Sequence, residues 1–314
     1  MSDQRCQILS REQARCFHEK GYLHIKGVID QWELERLDAV TRTFIDTCQR
    51  YKPMDNDYNY CIDPVTGNEV FARINSALLR NDAFVDLFGH PKILGIAHDV
   101  LGADFVAGLD AMVVKLPEYG MPVPWHRDPG HPRIHPPFDV DVYLDPATPD
   151  NGCLYVIPES HRWQGFSLQD MLDEHGFNLP GAIPIIAEPG DVVLHSCNTL
   201  HGSRSTRGKP MRRIIYYAYY AIEELLCRGG PWNEQHILNL IRVMLDAVNH
   251  RARLPETSAE TPFTYQPTKP QFRLDPQNLG HIERRVTWFR DQFDTPGFPP
   301  GYRYSPRTAV TPKP

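Results

Sequence analysis

No uninterrupted apolar run in the 314-residue chain reaches the roughly 18 residues that a membrane-spanning helix needs. The opening residues, Met1-Ser2-Asp3-Gln4-Arg5-Cys6, lack the apolar core of an export signal. Both absences predict a cytoplasmic protein with no membrane partner. A basic surplus is missing too: 33 Lys and Arg stand against 39 Asp and Glu, a net charge of −6, which argues against nucleic acid as the main partner. Cysteine is present but never as Cys-x-x-Cys. Cys6, Cys16, Cys48, Cys61, Cys153, Cys197 and Cys227 are odd in number and scattered, which predicts reduced thiols rather than a disulfide frame or a zinc site. There is no phosphate-cradling glycine loop and no internal repeat. Apolar matter is not short: 41% hydrophobic and 11% aromatic residues suffice for one large buried core.

Periodicity divides the chain into three parts. Near the start, Ser10 can cap a first helix that ends near Gly21, Tyr22–Ile25 reads as a strand, and Leu34, Leu37, Val40, Phe44 and Ile45 fall at helical spacing over 31–51. Another helix is expected over 82–101. From 104 to 222 the texture changes to short β-rich runs separated by Gly, Pro and Asp, as in 111–115, 138–144, 153–157, 190–194 and 214–220. Regularly spaced short strands indicate a sandwich or barrel. Phe138, Val140, Val142 and Leu144 alternate with Asp139, Asp141, Tyr143 and Asp145, the pattern of a strand lining a wet cavity. Beyond 222, helices are expected over 232–251 and 278–293, with a polar stretch over 253–277 and a Pro-rich tail from Pro296 to Pro314. The expected organisation is a single domain over 1–314. It comprises helical support over 10–103, a β core over 104–222 and a helical C-terminal extension over 223–314.

The chemistry-bearing residues lie in the β-rich part. His126 and Asp128 are one residue apart, so on an extended segment both side chains turn to the same side. A distant histidine, His195 or His201, would complete two imidazoles and one carboxylate. That set leaves metal positions open for a co-substrate and dioxygen, as in non-heme iron(II) oxygenases. Arg212 can clamp a dicarboxylate through two parallel hydrogen bonds. Each of these residues also has a plain structural reading: a surface loop for His126 and Asp128, a core position for His195.

The blocks Lys115-Leu116-Pro117, Trp125-His126-Arg127-Asp128, Asn151-Gly152-Cys153-Leu154, Ile157-Pro158-Glu159-Ser160-His161, Gly190-Asp191 and Cys197-Asn198-Thr199-Leu200-His201-Gly202-Ser203, with Arg212 eleven residues after His201, go together. In these the chain, from about residue 10 to 222, resembles the phytanoyl-CoA dioxygenase family of Fe(II)/2-oxoglutarate oxygenases. The resemblance implies a mainly β fold, a cupin-like double-stranded β-helix or jelly roll with N- and C-terminal helices packed outside. It assigns iron to His126, Asp128 and His201 and so prefers His201 to His195. It assigns the far carboxylate of 2-oxoglutarate to Arg212 and Ser203, with Arg73 or Asn75 contacting the same co-substrate. Asp141 falls where some relatives carry a cofactor-lining aromatic. Asp139 or Asp141 is therefore expected to meet a polar or cationic group of the substrate, unless Arg127, Arg133 or Arg213 pairs with them. Arg213 is expected on the surface, Trp125 in the core, Ser160-His161 in a structural turn, and Tyr216, Tyr217, Tyr219 and Tyr220 in packing.

The implied activity is oxidation, foremost hydroxylation, of a small organic metabolite with O2, while 2-oxoglutarate is converted to succinate and CO2. A carboxylate at 128 speaks for a halide-free reaction, since family halogenases carry a small residue there. Desaturation, epimerisation and cyclisation are alternatives at the same site. Two readings from other classes are a nucleic-acid demethylase, disfavoured by the acidic balance, and a non-catalytic ligand-binding jelly roll. The expected partner is a small molecule, and the expected state a monomer or homodimer.

Overall fold

A computed structural model describes residues 8–53, 57–128, 134–230 and 232–286. In chain order the elements are α1 (Arg11–Lys20), β1 (Tyr22–Ile25), α2 (Gln31–Tyr51), β2 (Tyr58–Ile62), β3 (Glu69–Asn75), α3 (Asp82–Phe88), α4 (Pro91–Leu101), β4 (Phe105–Lys115), β5 (Val123–His126), β6 (Phe138–Tyr143), β7 (Leu154–Val156), α5 (Leu168–His175), β8 (Ile183–Pro184), β9 (Val192–Ser196), β10 (His201–Ser203), β11 (Arg212–Ala221), α6 (Ile222–Arg228) and α7 (Glu234–Arg251). Two antiparallel sheets form the core: seven strands in the order β1-β9-β6-β11-β4-β3-β2 and four in the order β5-β10-β7-β8. This is the expected jelly roll with helices outside.

Ser10 caps α1 through a capping box with Gln13, and Gly21 ends it with a left-handed backbone. The expected helix over 82–101 is two helices. Pro91 cannot continue a preceding helix, and His90 instead caps α4, its Nδ1 accepting from the Lys92 N–H at 3.1 Å. The apolar stripe of α7 packs inside the molecule, against α3 and β4.

The expected helix over 278–293 does not form in its described part. Residues 278–286 run as irregular chain, because side chains of α7 take the backbone carbonyls of this segment and the one before it. Asn239 donates to the Glu283 carbonyl at 3.0 Å, Arg242 to that of Leu279 at 3.1 Å, and Asn249 to that of Pro276 at 2.7 Å. The rest of that expected helix and the Pro-rich tail lie outside the described residues, as does Arg133. Among the described residues no helix is long and apolar enough to cross a membrane.

Strand register decides which side chains face the space between the sheets. On β11, Arg212, Ile214, Tyr216, Ala218 and Tyr220 share one face. Opposite them on β6 stand Tyr143 (to Ile214), Asp141 (to Tyr216) and Asp139 (to Ala218). Across β4, the same face continues onto β3 at Arg73 and Asn75. Phe138, Val140 and Val142 turn the other way, into the main core under the helices.

Candidate metal centre

β5 and β10 pair antiparallel with His126 directly opposite His201. Gly202 allows that approach, since a Cβ there would come within 3.0 Å of the Val123 carbonyl oxygen. The His126 Nδ1–H donates to the Pro124 carbonyl and the His201 Nδ1–H to the Thr199 carbonyl, each at 2.8 Å. A carbonyl can only accept, so Nδ1 carries the proton in both rings and each Nε2 presents a lone pair. Both Nε2 atoms face Asp128 Oδ1, at 3.5 Å from His126 and 3.9 Å from His201. β5 ends at His126, and Asp128 is held just beyond it by its N–H, which donates to the Cys197 carbonyl at 2.9 Å. One ligand atom from each of the three lies within 4.8 Å of the others.

The protonation states suit a divalent cation. Burial opposes charge on Asp128, but the His201 and His126 imidazoles outweigh it and hold the carboxyl well below the usual carboxylate range. Burial, and then the neighbouring His126, push His201 down to about 3. An ionised carboxylate beside a neutral imidazole is the form in which these groups bind metal. The donor set of two nitrogens and one oxygen fits iron(II) with positions left open.

His195 lies beside this trio, its ring centroid 4.5 Å from that of His201, but it is otherwise engaged. Its Nδ1 is 3.2 Å from Asp141 Oδ2 and its Nε2 3.5 Å from Asp139 Oδ2, neither aligned as a hydrogen bond. Burial alone would lower its pKa; Asp141 and then Asp139 outweigh that and hold it up at about 10. Burial pushes Asp139 up to about 8. The two carboxylates thus face His195, and the two described arginines of those considered, Arg127 and Arg213, are bound elsewhere. Arg127 donates to the Ser160 and Trp163 carbonyls. Arg213, expected on the surface, is instead 1% exposed and bound to Asp145 and Asp38. The correction has a simple cause: the outer face of β11 is covered by α2, whose Asp38 and Thr41 supply acceptors there.

Further from the trio, several buried polar atoms have no partner among the described residues. Among these, Arg212 Nε and Nη1, Ser203 Oγ and the Tyr143 hydroxyl lie on strands of the two sheets. Leaving such groups unpaired is costly, so their convergence on the inner faces of the two sheets marks a place for an anion with several acceptors. A dicarboxylate tail fits. Tyr143 was visible in the sequence only as one polar residue of an alternating strand; its orphaned hydroxyl is the added signal. Arg73 and Asn75 share the inner face, where Arg73 Nε donates to Asn75 Oδ1 at 2.7 Å and the guanidinium sits 5.2 Å from the Tyr216 ring centroid. Trp125 is core, donating to the Phe177 carbonyl at 2.8 Å, and Ser160 is structural, bonded to Ile157 and Leu200.

The family model for phytanoyl-CoA dioxygenase (PhyH) matches residues 17–214. A probable phytanoyl-CoA dioxygenase of Caenorhabditis elegans is 25% identical over 248 residues, covering 70% of this chain and 78% of that protein. An iron/alpha-ketoglutarate-dependent dioxygenase of Penicillium thymicola is 31% identical over 135 residues, 40% of each chain. The crystal structure of EctD from S. alaskensis with 2-oxoglutarate and 5-hydroxyectoine superposes with a TM-score of 0.58 at 22% identity, covering 71% of this chain and 79% of that one, a likeness of fold.

Proposed function

This chain belongs to the phytanoyl-CoA dioxygenase family and is an iron- and 2-oxoglutarate-dependent dioxygenase, and we propose that it hydroxylates a small organic metabolite at the His126, Asp128 and His201 centre. The observation that carries the assignment of ligands is the pair of Nδ1–H···O=C bonds, which turns both Nε2 lone pairs toward Asp128. When bound there, iron(II) supplies activation of dioxygen coupled to oxidation of 2-oxoglutarate to succinate and CO2. In sum, substrate C–H, O2 and 2-oxoglutarate give substrate C–OH, succinate and CO2.

The chain's own contributions are binding and orientation. Arg212, Ser203 and Tyr143 offer unpaired donors to the far carboxylate of 2-oxoglutarate, deep between the sheets. Arg73 and Asn75 stand on the same inner face as a second polar group toward that co-substrate. Val193, Ile214, Cys153 and Val156 are packed in one apolar cluster with the Tyr143 ring, which keeps the tail site dry. The six described cysteines are free thiols, in keeping with a reducing cytoplasm.

The test is a turnover assay with iron(II), 2-oxoglutarate and a metabolite panel, following succinate by mass spectrometry. Hydroxylation adds the mass of one oxygen, and with 18O2 that oxygen is labelled. A product lighter by two hydrogens, or of unchanged mass, would replace hydroxylation with desaturation or epimerisation. Absence of succinate under every condition would remove the reading.

A further inference from the structure

Two carboxylates, Asp139 and Asp141, bracket one imidazole, yet their situations differ. Asp141 is 6% exposed and lies at 3.2 Å from His195 Nδ1. The Asp139 side chain retains 15% exposure, and its contact with His195 Nε2, 3.5 Å, is beyond an ordinary N–H···O bond. Among the described residues nothing donates a hydrogen bond to it, although an ionised carboxylate offers about four acceptor sites. Arg127 and Arg213 are both engaged elsewhere. A divalent cation on the neighbouring Asp128 would favour the charged form of Asp139.

The space beside Asp139 is also particular. Its partner across the strand pair is Ala218, the one small residue between Tyr216 and Tyr220 on the inner face of β11. The Tyr220 ring lies over Gly108, where a Cβ would come within 3.0 Å of it, and the Tyr216 ring lies toward Arg73. Of the inner-face residues of β11, the one directly across from Asp139 is thus the smallest. An Asp139 oxygen lies within 4.8 Å of an Asp128 oxygen, so whatever binds there is next to the metal centre.

We propose that Asp139 is the specificity-determining residue of this site, accepting a hydrogen bond from an amine or hydroxyl of a compact substrate seated over Ala218 between Tyr216 and Tyr220. This rests on the iron-centre assignment above. The substrate then carries an N–H or O–H donor within a few bonds of the carbon that is oxidised, and Asp141 with His195 holds the carboxylate in place.

The test uses holoenzyme loaded anaerobically with iron(II) and 2-oxoglutarate and titrated calorimetrically with cyclohexylamine, cyclohexanol and methoxycyclohexane, and with the corresponding linear hexyl set. The two donors of a set are expected to bind about tenfold or more tightly than the ether, which accepts but cannot donate. Asp139→Leu is expected to abolish that preference. Asp139→Asn keeps an acceptor without charge, so it is expected to lose the preference for the amine and keep that for the alcohol. Ethers binding as well as donors, no member binding at all, or an unchanged preference in Asp139→Leu would each overturn the proposal. Loss of 2-oxoglutarate binding confined to Asp139→Leu would place Asp139 with the co-substrate and overturn it as well. Failure of the wild-type protein to bind iron or 2-oxoglutarate would count against the iron-centre assignment instead.

Discussion

Arg212 and Arg213 are consecutive on β11 and both buried, yet they face opposite sides of the same sheet with opposite hydrogen-bonding states. Arg213 donates from Nε and Nη2 to the two oxygens of Asp145, from Nη1 to Thr41 and from Nη2 to Asp38. Arg212 keeps Nε and Nη1 without an acceptor among the described residues. One arginine is a finished structural tie; the other keeps buried donors unpaired among the described residues.

Replacing these two residues should therefore separate stability from ligand binding. Arg213→Leu strands Asp145 in the interior and is expected to destabilise the protein by about 3–5 kcal/mol. Arg212→Leu is expected to cost little stability but about 100-fold or more in 2-oxoglutarate affinity, as for truncation of one partner of a buried charge pair. Urea denaturation and calorimetric titration of 2-oxoglutarate on both variants check this.

Tyr143→Phe removes a hydroxyl that has no partner in the free protein. Folding stability should be unchanged or slightly raised, because no hydrogen bond is lost. Affinity for 2-oxoglutarate should fall about tenfold, the worth of a hydrogen bond to a charged group. Equal affinity in the two proteins would show that the hydroxyl does not reach the co-substrate.

His90 predicts an acid limb of stability remote from the iron site. Burial, followed by the charges of Arg251 and Lys92, pushes its pKa down to about 2. Glu33 lies 3.7 Å from Nε2, and Nδ1 is occupied as acceptor of the Lys92 N–H. The folded protein thus holds His90 neutral, while the unfolded chain protonates it near the ordinary value of about 6.5. Its stabilising contribution is complete above that pH and is lost as pH falls from there toward the folded value, by up to about 1.4 kcal/mol per pH unit. His90→Asn retains a capping acceptor without a titrating group. Between pH 7 and pH 5 the metal-free wild-type protein should lose on the order of 2 kcal/mol more stability than the variant. Parallel pH dependences would contradict this.

These outcomes also show what a linear sequence discloses. α2 was legible to its ends at 31 and 51 because one amphipathic stripe specifies it. His126 with Asp128 was suggested by a spacing of one residue, whereas His201 with Ser203 came only from the resemblance of their block to the family, because spacing alone did not separate His201 from His195. The burial of Arg213 was not, since its partners Asp38 and Asp145 are 175 and 68 residues away. Nor was the irregular course of 278–286, whose carbonyls are satisfied by α7 side chains rather than by helical neighbours. The engagement of His195 with two carboxylates likewise depends on β6 and β9 being adjacent, a property of topology.

The most direct test of the centre is anaerobic iron(II) titration of three metal-free proteins in the presence of 2-oxoglutarate: wild type, His201→Ala and His195→Ala. The geometry predicts one iron per chain in wild type and in His195→Ala, with affinities within about tenfold, and no stoichiometric binding in His201→Ala. Iron retained by His201→Ala and lost by His195→Ala would contradict it.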